Sequence, residues 1–338
     1  MTIDEKEIQA QLMRLISSQW ISQPIYVAAE LGIAEILSEG PKAVSTIADE
    51  CGACEPQLYR VLRALASVGI FTETEDGVFG LTPMAESLGS DRMRSIARMF
   101  LSGWHMRAWE YLLHSVRTGE SAFETAHGLP AFEWFDRNED ARRVFQEANA
   151  VKARNSHAAV LDVYDFSSHS LVADIGGGYG GLLFTVLEAR PHLKGIIADL
   201  PVVAVEVREL IRSRHLDGRC TVAACDFFSG LPPAIGEADC LILSHVLHDW
   251  DDRKCSVILR NCARAMSSGA RLLAVESIVP GKNEFSVAKL LDLEVLVMGG
   301  GRERTEEEFR MLLADAGFFM EKILPTRETV SILVCRKD

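Results

Sequence analysis

No apolar run in this 338-residue chain approaches the roughly 20 residues that a helix needs to cross a bilayer. The opening, MTIDEKEIQAQ, lacks the basic start and apolar stretch of a signal peptide, so a cytoplasmic protein is expected. Positive charge is scarce as well. Lys and Arg total 35 against 48 Asp and Glu, a net charge of −13. That balance disfavours nucleic acid and anionic membranes as partners. Low-complexity segments and internal repeats are missing. Cysteine is present, with eight residues, but has no framework. Cys51-Gly-Ala-Cys54 has no second C-x-x-C to complete a zinc site and no βαβ setting for a redox pair, so no metal is expected. It reads as an incidental pair at a helix–turn junction, and the thiols read as reduced.

What remains is an ordinary globular composition, 48% hydrophobic and 25% charged, long enough for two domains. The chain opens with apolar residues at helical spacing from about Glu7 to Leu37, broken at Gly32. A short helix follows at Ser45–Glu50, then another from Pro56 to Gly69. Ile70–Leu81 reads as a hairpin turning at Asp76-Gly77. Helix, turn, helix, hairpin is a winged-helix unit. Such units often bind DNA, but residues 1–90 carry 13 acids against 5 bases, the wrong sign for phosphate. Their apolar helices instead suit another subunit. Residues 91–165 read as helical, with Phe100, Trp104, Trp109 and Tyr111 in one helix pair. From this stretch Phe100, Trp104, Trp134 and Phe145 are candidates to line a substrate pocket.

The centre of the chain is LVADIGGGYGG, Leu171–Gly181. An apolar strand ends near Asp174, and Gly176, Gly177, Gly178, Gly180 and Gly181 lead into a helix. A nucleotide-binding α/β unit opens this way, because a tight turn needs positive φ and a ligand must approach bare backbone. Asp199 closes the next strand, KGIIADLP, about 20 residues on, where a ribose diol is held. The glycines also satisfy G-x-G-x-x-G, so they leave NAD and S-adenosylmethionine both open. Further strands read at CTVAACD, ADCLILSHV, ARLLAVES and TVSILVCRK, alternating with helices as in a mostly parallel sheet.

Downstream features decide between the cofactors. Cys225-Asp226-Phe227-Phe228 offers a carboxylate and rings suited to adenine. His245-Val-Leu-His248-Asp249-Trp250-Asp251-Asp252 follows the fourth strand, Glu276 is expected to end the fifth, and GGGRERT, Gly299–Thr305, precedes a last helix. Ligands of open α/β sheets sit at the strands' carboxyl ends. A nicotinamide reading leaves the His and Glu residues idle, whereas methyl transfer uses them. A phenol has a pKa of about 10, so a histidine base helps at neutral pH. Asp249, Asp251 and Asp252 read as charge and caps for the following helix. Glu303 also reads as a surface partner of Arg304.

These motifs, DIGGGYG, ADLP, CDFF, HVLHDWDD, VES and GGGRERTEEEF, resemble the class I S-adenosylmethionine-dependent O-methyltransferases. The branch is that of plant caffeic acid O-methyltransferase and the bacterial enzymes that tailor phenazines and aromatic polyketides. The likeness implies an α/β protein: a Rossmann-like class I methyltransferase sheet behind an N-terminal helical winged-helix dimerisation domain. The implied segments are 1–95 for dimerisation, 96–165 as helical linker and lid, and 166–338 for catalysis. S-Adenosylmethionine would rest on Asp174, Gly176, Gly177, Gly178, Asp199, Leu200, Cys225, Asp226, Phe227 and Ser244, and would leave as S-adenosylhomocysteine. Ser244 stands where relatives often carry a basic residue. His248 would be the base, flanked by Glu276 and Glu303. A small aromatic acceptor would meet Phe100, Trp104, Trp134, Phe145, Asn149, Asp249 and Met298. A repurposed relative that hydroxylates or rearranges a similar ligand is the alternative.

Overall fold

The computed structural model describes residues 5–89 and 93–337. Residues 1–4, part of the acidic opening, lie outside them. The chain forms two compact units, residues 1–107 with 132–151, and residues 108–131 with 152–338.

The first unit begins with three helices, Glu5–Ile16, Gln19–Glu30 and Ile33–Ile36. The apolar spacing that reads as continuous up to Gly32 is therefore also interrupted, at Ser17-Ser18. The two serines close turns onto Met13 and Leu15 through their backbone amides. Next come β1 (Lys42–Ala43), helices Val44–Cys51 and Glu55–Ser67, β2 (Phe71–Glu75) and β3 (Val78–Leu81). The hairpin turns where the sequence places it, and β1 adds to β3 as a third strand. Two residues are too short to show an alternating pattern. Gly52 ends one helix at φ +69°, and Cys54 precedes the next, so the cysteine pair does occupy a helix–turn junction. All eight cysteines are free thiols. Ala29, Ile33, Ile47, Leu62, Phe71 and Phe79 form the core of this unit.

Where one helix pair is expected after residue 93, there are three short helices, Arg94–Phe100, Gly103–Trp109 and Leu112–Thr118. The last two belong wholly or in part to the second unit. The long helix Glu139–Val163 runs from one unit into the other.

The second unit carries the main sheet. Its strands are β4 (Leu171–Ile175), β5 (Lys194–Asp199), β6 (Cys220–Ala224), β7 (Cys240–Ser244), β8 (Arg271–Val279), β9 (Arg304–Thr305), β10 (Phe318–Pro325) and β11 (Val330–Lys337). Their order is β10-β11-β8-β7-β4-β5-β6, with β9 paired to β8. The strands from β8 to β6 run parallel, and β11 and β10 are antiparallel. The sequence reading lacks β9 and β10. One is two residues long, and FFMEKILP mixes charge into its apolar run. Continuous apolar strands such as Cys240–Leu243 are fully buried, as parallel strands covered on both faces must be. The order reverses beside β4, which places the glycine turn at the switch point where open α/β sheets bind ligands.

Candidate active site

The turn after β4 has the geometry its glycines permit. Gly176, Gly178 and Gly180 take φ of +69°, +54° and +76°. A β-carbon on Gly180 would lie 2.4 Å from Ile197 Cδ1, and one on Gly177 2.8 Å from Asp174 Cγ. Gly177 and Gly180 are bare because a side chain has no room at either position.

Asp199 ties that turn to the next strand. Its Oδ2 accepts from the Gly178 amide at 2.8 Å and its Oδ1 from the Leu200 amide at 2.7 Å. Leu200 itself is half exposed. Asp174 is 1% exposed, and its Oδ1 has no hydrogen-bond partner. Burial, reinforced by Asp199, pushes its pKa up to about 7. Cys225 donates its amide to the Asp199 carbonyl. Phe227 lies under the turn, since a β-carbon on Gly176 would come within 3.3 Å of its ring. Asp226 is exposed and turns back on its own loop, accepting from the Phe228 amide and the Ser229 hydroxyl, each at 2.9 Å. Ser244 is half-buried at the end of β7.

The other half of the site follows β7. His245 takes a left-handed φ of +54°, and a single 3₁₀ turn, Leu247–Asp249, carries His248. Its neighbour Val246 would meet a Gly176 β-carbon at 3.0 Å, so this segment abuts the glycine turn. His248 Nδ1 lies 3.2 Å from Glu303 Oε1 and 3.5 Å from Glu276 Oε2. Nδ1 has no hydrogen-bond partner, so both are ion-pair contacts. Nε2 points toward Asp249 Oδ1 at 3.4 Å. Burial pulls the imidazole's pKa down, but Glu276, Glu303 and Asp249 together outweigh it and raise the value to about 9. Glu276 is fully buried, and burial pushes its pKa up despite His248.

Asp249, Glu276 and Glu303 come together around His248, and several details differ from the sequence reading. Glu276 does not end its strand. It sits inside β8, which runs on to Val279 to pair with β9 and so passes beside the end of β7. Of the three aspartates, Asp251 caps the helix, accepting from the Lys254 amide. Asp249 faces His248 instead, and Asp252 binds Arg304. Glu303 and Arg304 are no surface pair. They are 4% and 0% exposed, and Arg304 pairs with Asp252. Met298 ends the helix before the GGGRERT loop. Phe100, Trp104, Trp134, Phe145 and Asn149 all fall in the first unit. There Trp104 meets Trp134 at 6.0 Å and Phe135 at 5.2 Å, and Phe135 stacks on Phe145 at 4.6 Å.

Some nearby groups gave no signal in sequence. Lys152 and His157 come from the distant helix Glu139–Val163, and burial lowers both pKa values, His157 to about 4. His157 fills the space beside Gly181, where a β-carbon would sit 2.6 Å from its ring. His245, His248 and Glu276 each bring a ligand atom within 4.8 Å of the others, a grouping that could hold a metal ion. Among the described residues, no helix is long and apolar enough to cross a membrane.

Comparison with known proteins places this geometry. Residues 109–319 match the O-methyltransferase domain, and residues 13–91 the O-methyltransferase dimerisation domain. The phenazine O-methyltransferase of Lysobacter antibioticus is 43% identical over 96% of this chain and 95% of its own. The mitomycin biosynthesis 6-O-methyltransferase of Streptomyces lavendulae is 39% identical over 92% and 89%. The solved O-methyltransferase of neocarzinostatin biosynthesis, in complex with S-adenosylmethionine and 2-hydroxy-5-methyl naphthoic acid, superposes with a TM-score of 0.79. It is 31% identical and covers 94% of this chain and 96% of its own. Nothing in these relatives supports hydroxylation or rearrangement. The chain belongs to the S-adenosylmethionine-dependent O-methyltransferases.

Proposed function

We propose that the protein methylates a hydroxyl group of a small aromatic secondary metabolite, with His248 as general base. One observation carries this reading: a histidine beside the glycine turn has Nδ1 bracketed by two buried carboxylates, at 3.2 and 3.5 Å. The names of the relatives, which act on phenazine and mitomycin scaffolds, support an aromatic acceptor.

The residues suit the cofactor. Asp174 Oδ1 is a buried acceptor without a partner, and the bare turn at Gly176–Gly178 would clash with any side chain on Gly177. In this reading Asp199 accepts from the ribose hydroxyls, Leu200 and Phe227 cover the adenine, and Cys225, Asp226 and Ser244 border it. When bound, S-adenosylmethionine supplies an electrophilic methyl group on a sulfonium. His248 would take the hydroxyl proton at Nε2 and so leave the acceptor oxygen ready for that methyl group. Glu276 and Glu303 hold Nδ1 protonated and stabilise the imidazolium. A base of pKa about 9 lies close to a phenol at about 10, so the transfer is nearly balanced. Glu276 Oε1 already accepts from two backbone amides, which favours proton chemistry over a metal at this cluster. Asp249, Met298, Phe100, Trp104, Trp134, Phe145 and Asn149 are assigned to the acceptor, with residues 96–165 as its lid. The winged-helix segment, 1–95, joins two copies in a homodimer. Supporting this, Glu5–Ile16 buries none of its residues, and Leu12, Leu15, Ile16 and Trp20 are exposed.

The test is His248→Ala with labelled S-adenosylmethionine and a panel of phenols. General-base loss lowers kcat about 10²–10⁴-fold. Cofactor affinity stays unchanged and activity partly recovers at high pH, where phenolate forms unaided. Wild-type turnover in the variant overturns the assignment.

A further inference from the structure

The 3₁₀ turn that carries His248 is three residues long and makes few hydrogen bonds of its own. Its backbone is held from outside, at both ends. At the amide end, Glu276 Oε1 accepts from Val246 at 3.1 Å and Leu247 at 2.7 Å. At the carbonyl end stands Arg304, a fully buried cation. Its Nη1 donates to the Leu247 carbonyl at 2.8 Å, and its Nη2 to the Trp250 carbonyl at 2.8 Å. Nε and Nη2 both donate to Asp252 Oδ1, at 2.9 and 2.8 Å. Cys255 supports the same two carbonyls, with Sγ 3.1 Å from Leu247 O and 3.5 Å from Trp250 O.

The His248 carbonyl, one of the two between them, accepts from the Arg302 amide at 2.9 Å. Gly301 makes that approach possible, because a β-carbon there would lie 2.1 Å from His248 O. One short segment, Gly301–Arg304, therefore grips the carbonyls of Leu247, His248 and Trp250. It also delivers Glu303 to Nδ1 of His248.

We propose that Arg304 is a positioning residue for the reaction: its guanidinium fork latches the His248 turn to the segment bearing Glu303, and so fixes the imidazole against its acid. This rests on the reading of His248 as base. A buried charge is costly unless paired and hydrogen-bonded, and all three nitrogens here are used. Only a planar fork reaches two carbonyls and a carboxylate at once. A lysine offers three donors from a single point. The placement matters because a shift of about 1 Å in a reacting group can cost about 10²-fold in rate.

The test uses the full-length enzyme with Arg304→Lys, which keeps the charge, and Gly301→Ala, which wedges the segment away from the His248 carbonyl. Asp252→Asn is a third variant, whose side chain is 59% exposed and so tolerates change. Expected in each is a kcat loss, about 10–100-fold for Arg304→Lys, with the dissociation constant for S-adenosylmethionine within twofold. The midpoint of the pH–rate profile and of the His248 imidazole titration by NMR should both move acidward, because Glu303 recedes. A variant that merely unfolds would lose cofactor binding and activity together. Unchanged kcat and unchanged His248 titration in Arg304→Lys and Asp252→Asn overturn the latch. If His248→Ala stays active while Arg304→Lys still shifts the titration, the base assignment fails and the latch stands.

Discussion

His245 and His248 stand with ring centroids 5.4 Å apart, yet their surroundings drive their protonation in opposite directions. Burial pulls His245 down to about 3, and the nearby His248, Lys152 and His157 add to the effect. For His248 burial acts in the same sense, but three carboxylates reverse it and raise the value to about 9. Two residues of sequence separate a neutral ring from a cationic one.

This split is measurable. In the cofactor-free enzyme one imidazole should titrate near pH 9, while the His245 ring stays neutral from pH 5 upward. Turnover should rise with pH toward about 9 as His248 loses its proton. Stability should run the other way. A group whose folded pKa is raised above its unfolded value, about 6.5, stabilises fully below that value. That contribution is lost as pH climbs through 9. The thermal midpoint of wild type over His248→Gln should therefore be larger at pH 6 than at pH 9.5. Equal differences at the two pH values would contradict the ion-pair account.

Asp174 makes a prediction about binding. Free, its buried carboxyl titrates near 7. A donor from the cofactor at Oδ1 favours the carboxylate and so lowers that pKa. At pH 6 binding should then release most of one proton, and at pH 8.5 almost none. Calorimetry in two buffers of different ionisation enthalpy reads this directly. Asp174→Asn should abolish the buffer dependence.

For Asp199, substitution by alanine removes the acceptor for the Gly178 and Leu200 amides as well as for a ribose. A hydrogen bond to a charged group is worth about 1.5–3 kcal/mol, so S-adenosylmethionine should bind more than about tenfold more weakly. Tighter binding of NAD than of S-adenosylmethionine by the wild-type enzyme would refute the site.

Much of this was legible in sequence because local chemistry dictated it. Glycines at positive φ, an aspartate ending β5 and a histidine following β7 announce themselves by spacing. The misreadings share a cause. Glu303 and Arg304 look like a solvated charge pair in RERT, since no local pattern tells that the segment is buried against the His248 turn. Asp252 does charge the first turn of its helix, but nothing local tells that it also pairs with the buried Arg304. Lys152 and His157 reach the site from a helix distant in sequence, which spacing cannot reveal. Glu276 is misplaced on its strand because β8 extends to meet β9, a two-residue strand with no alternation to read.

The N-terminal helix supplies another prediction. Leu12 and Leu15 are 56% and 72% exposed on Glu5–Ile16. Leu12→Asp with Leu15→Asp should give a monomer by light scattering where the wild type gives a dimer, since the apolar stripe is what a second copy would cover. A monomeric wild type at micromolar concentration would reject the dimer.

The two acids around His248 should substitute for each other. Nδ1 faces two carboxylates, Glu303 Oε1 at 3.2 Å and Glu276 Oε2 at 3.5 Å. Replacing either acid by glutamine leaves the other to hold the reactive tautomer and leaves the His248 turn in place, so each single variant should lose about tenfold or less in kcat, less than Arg304→Lys, which also frees the turn itself. Glu276→Gln should also cost stability, because Oε1 of Glu276 anchors the amides of Val246 and Leu247 whereas Glu303 bears no such load. With both acids replaced, neither side chain supplies a carboxylate to Nδ1, and a glutamine amide can donate to it and force the proton onto Nε2. The base would then face the acceptor already protonated. Loss of the tautomer-fixing acid in serine proteases costs about 10⁴-fold. The double variant should accordingly lose at least about 10³-fold, well beyond the product of the singles, in a double-mutant cycle. Additive losses would mean that one acid alone orients the histidine and the other only stabilises the fold.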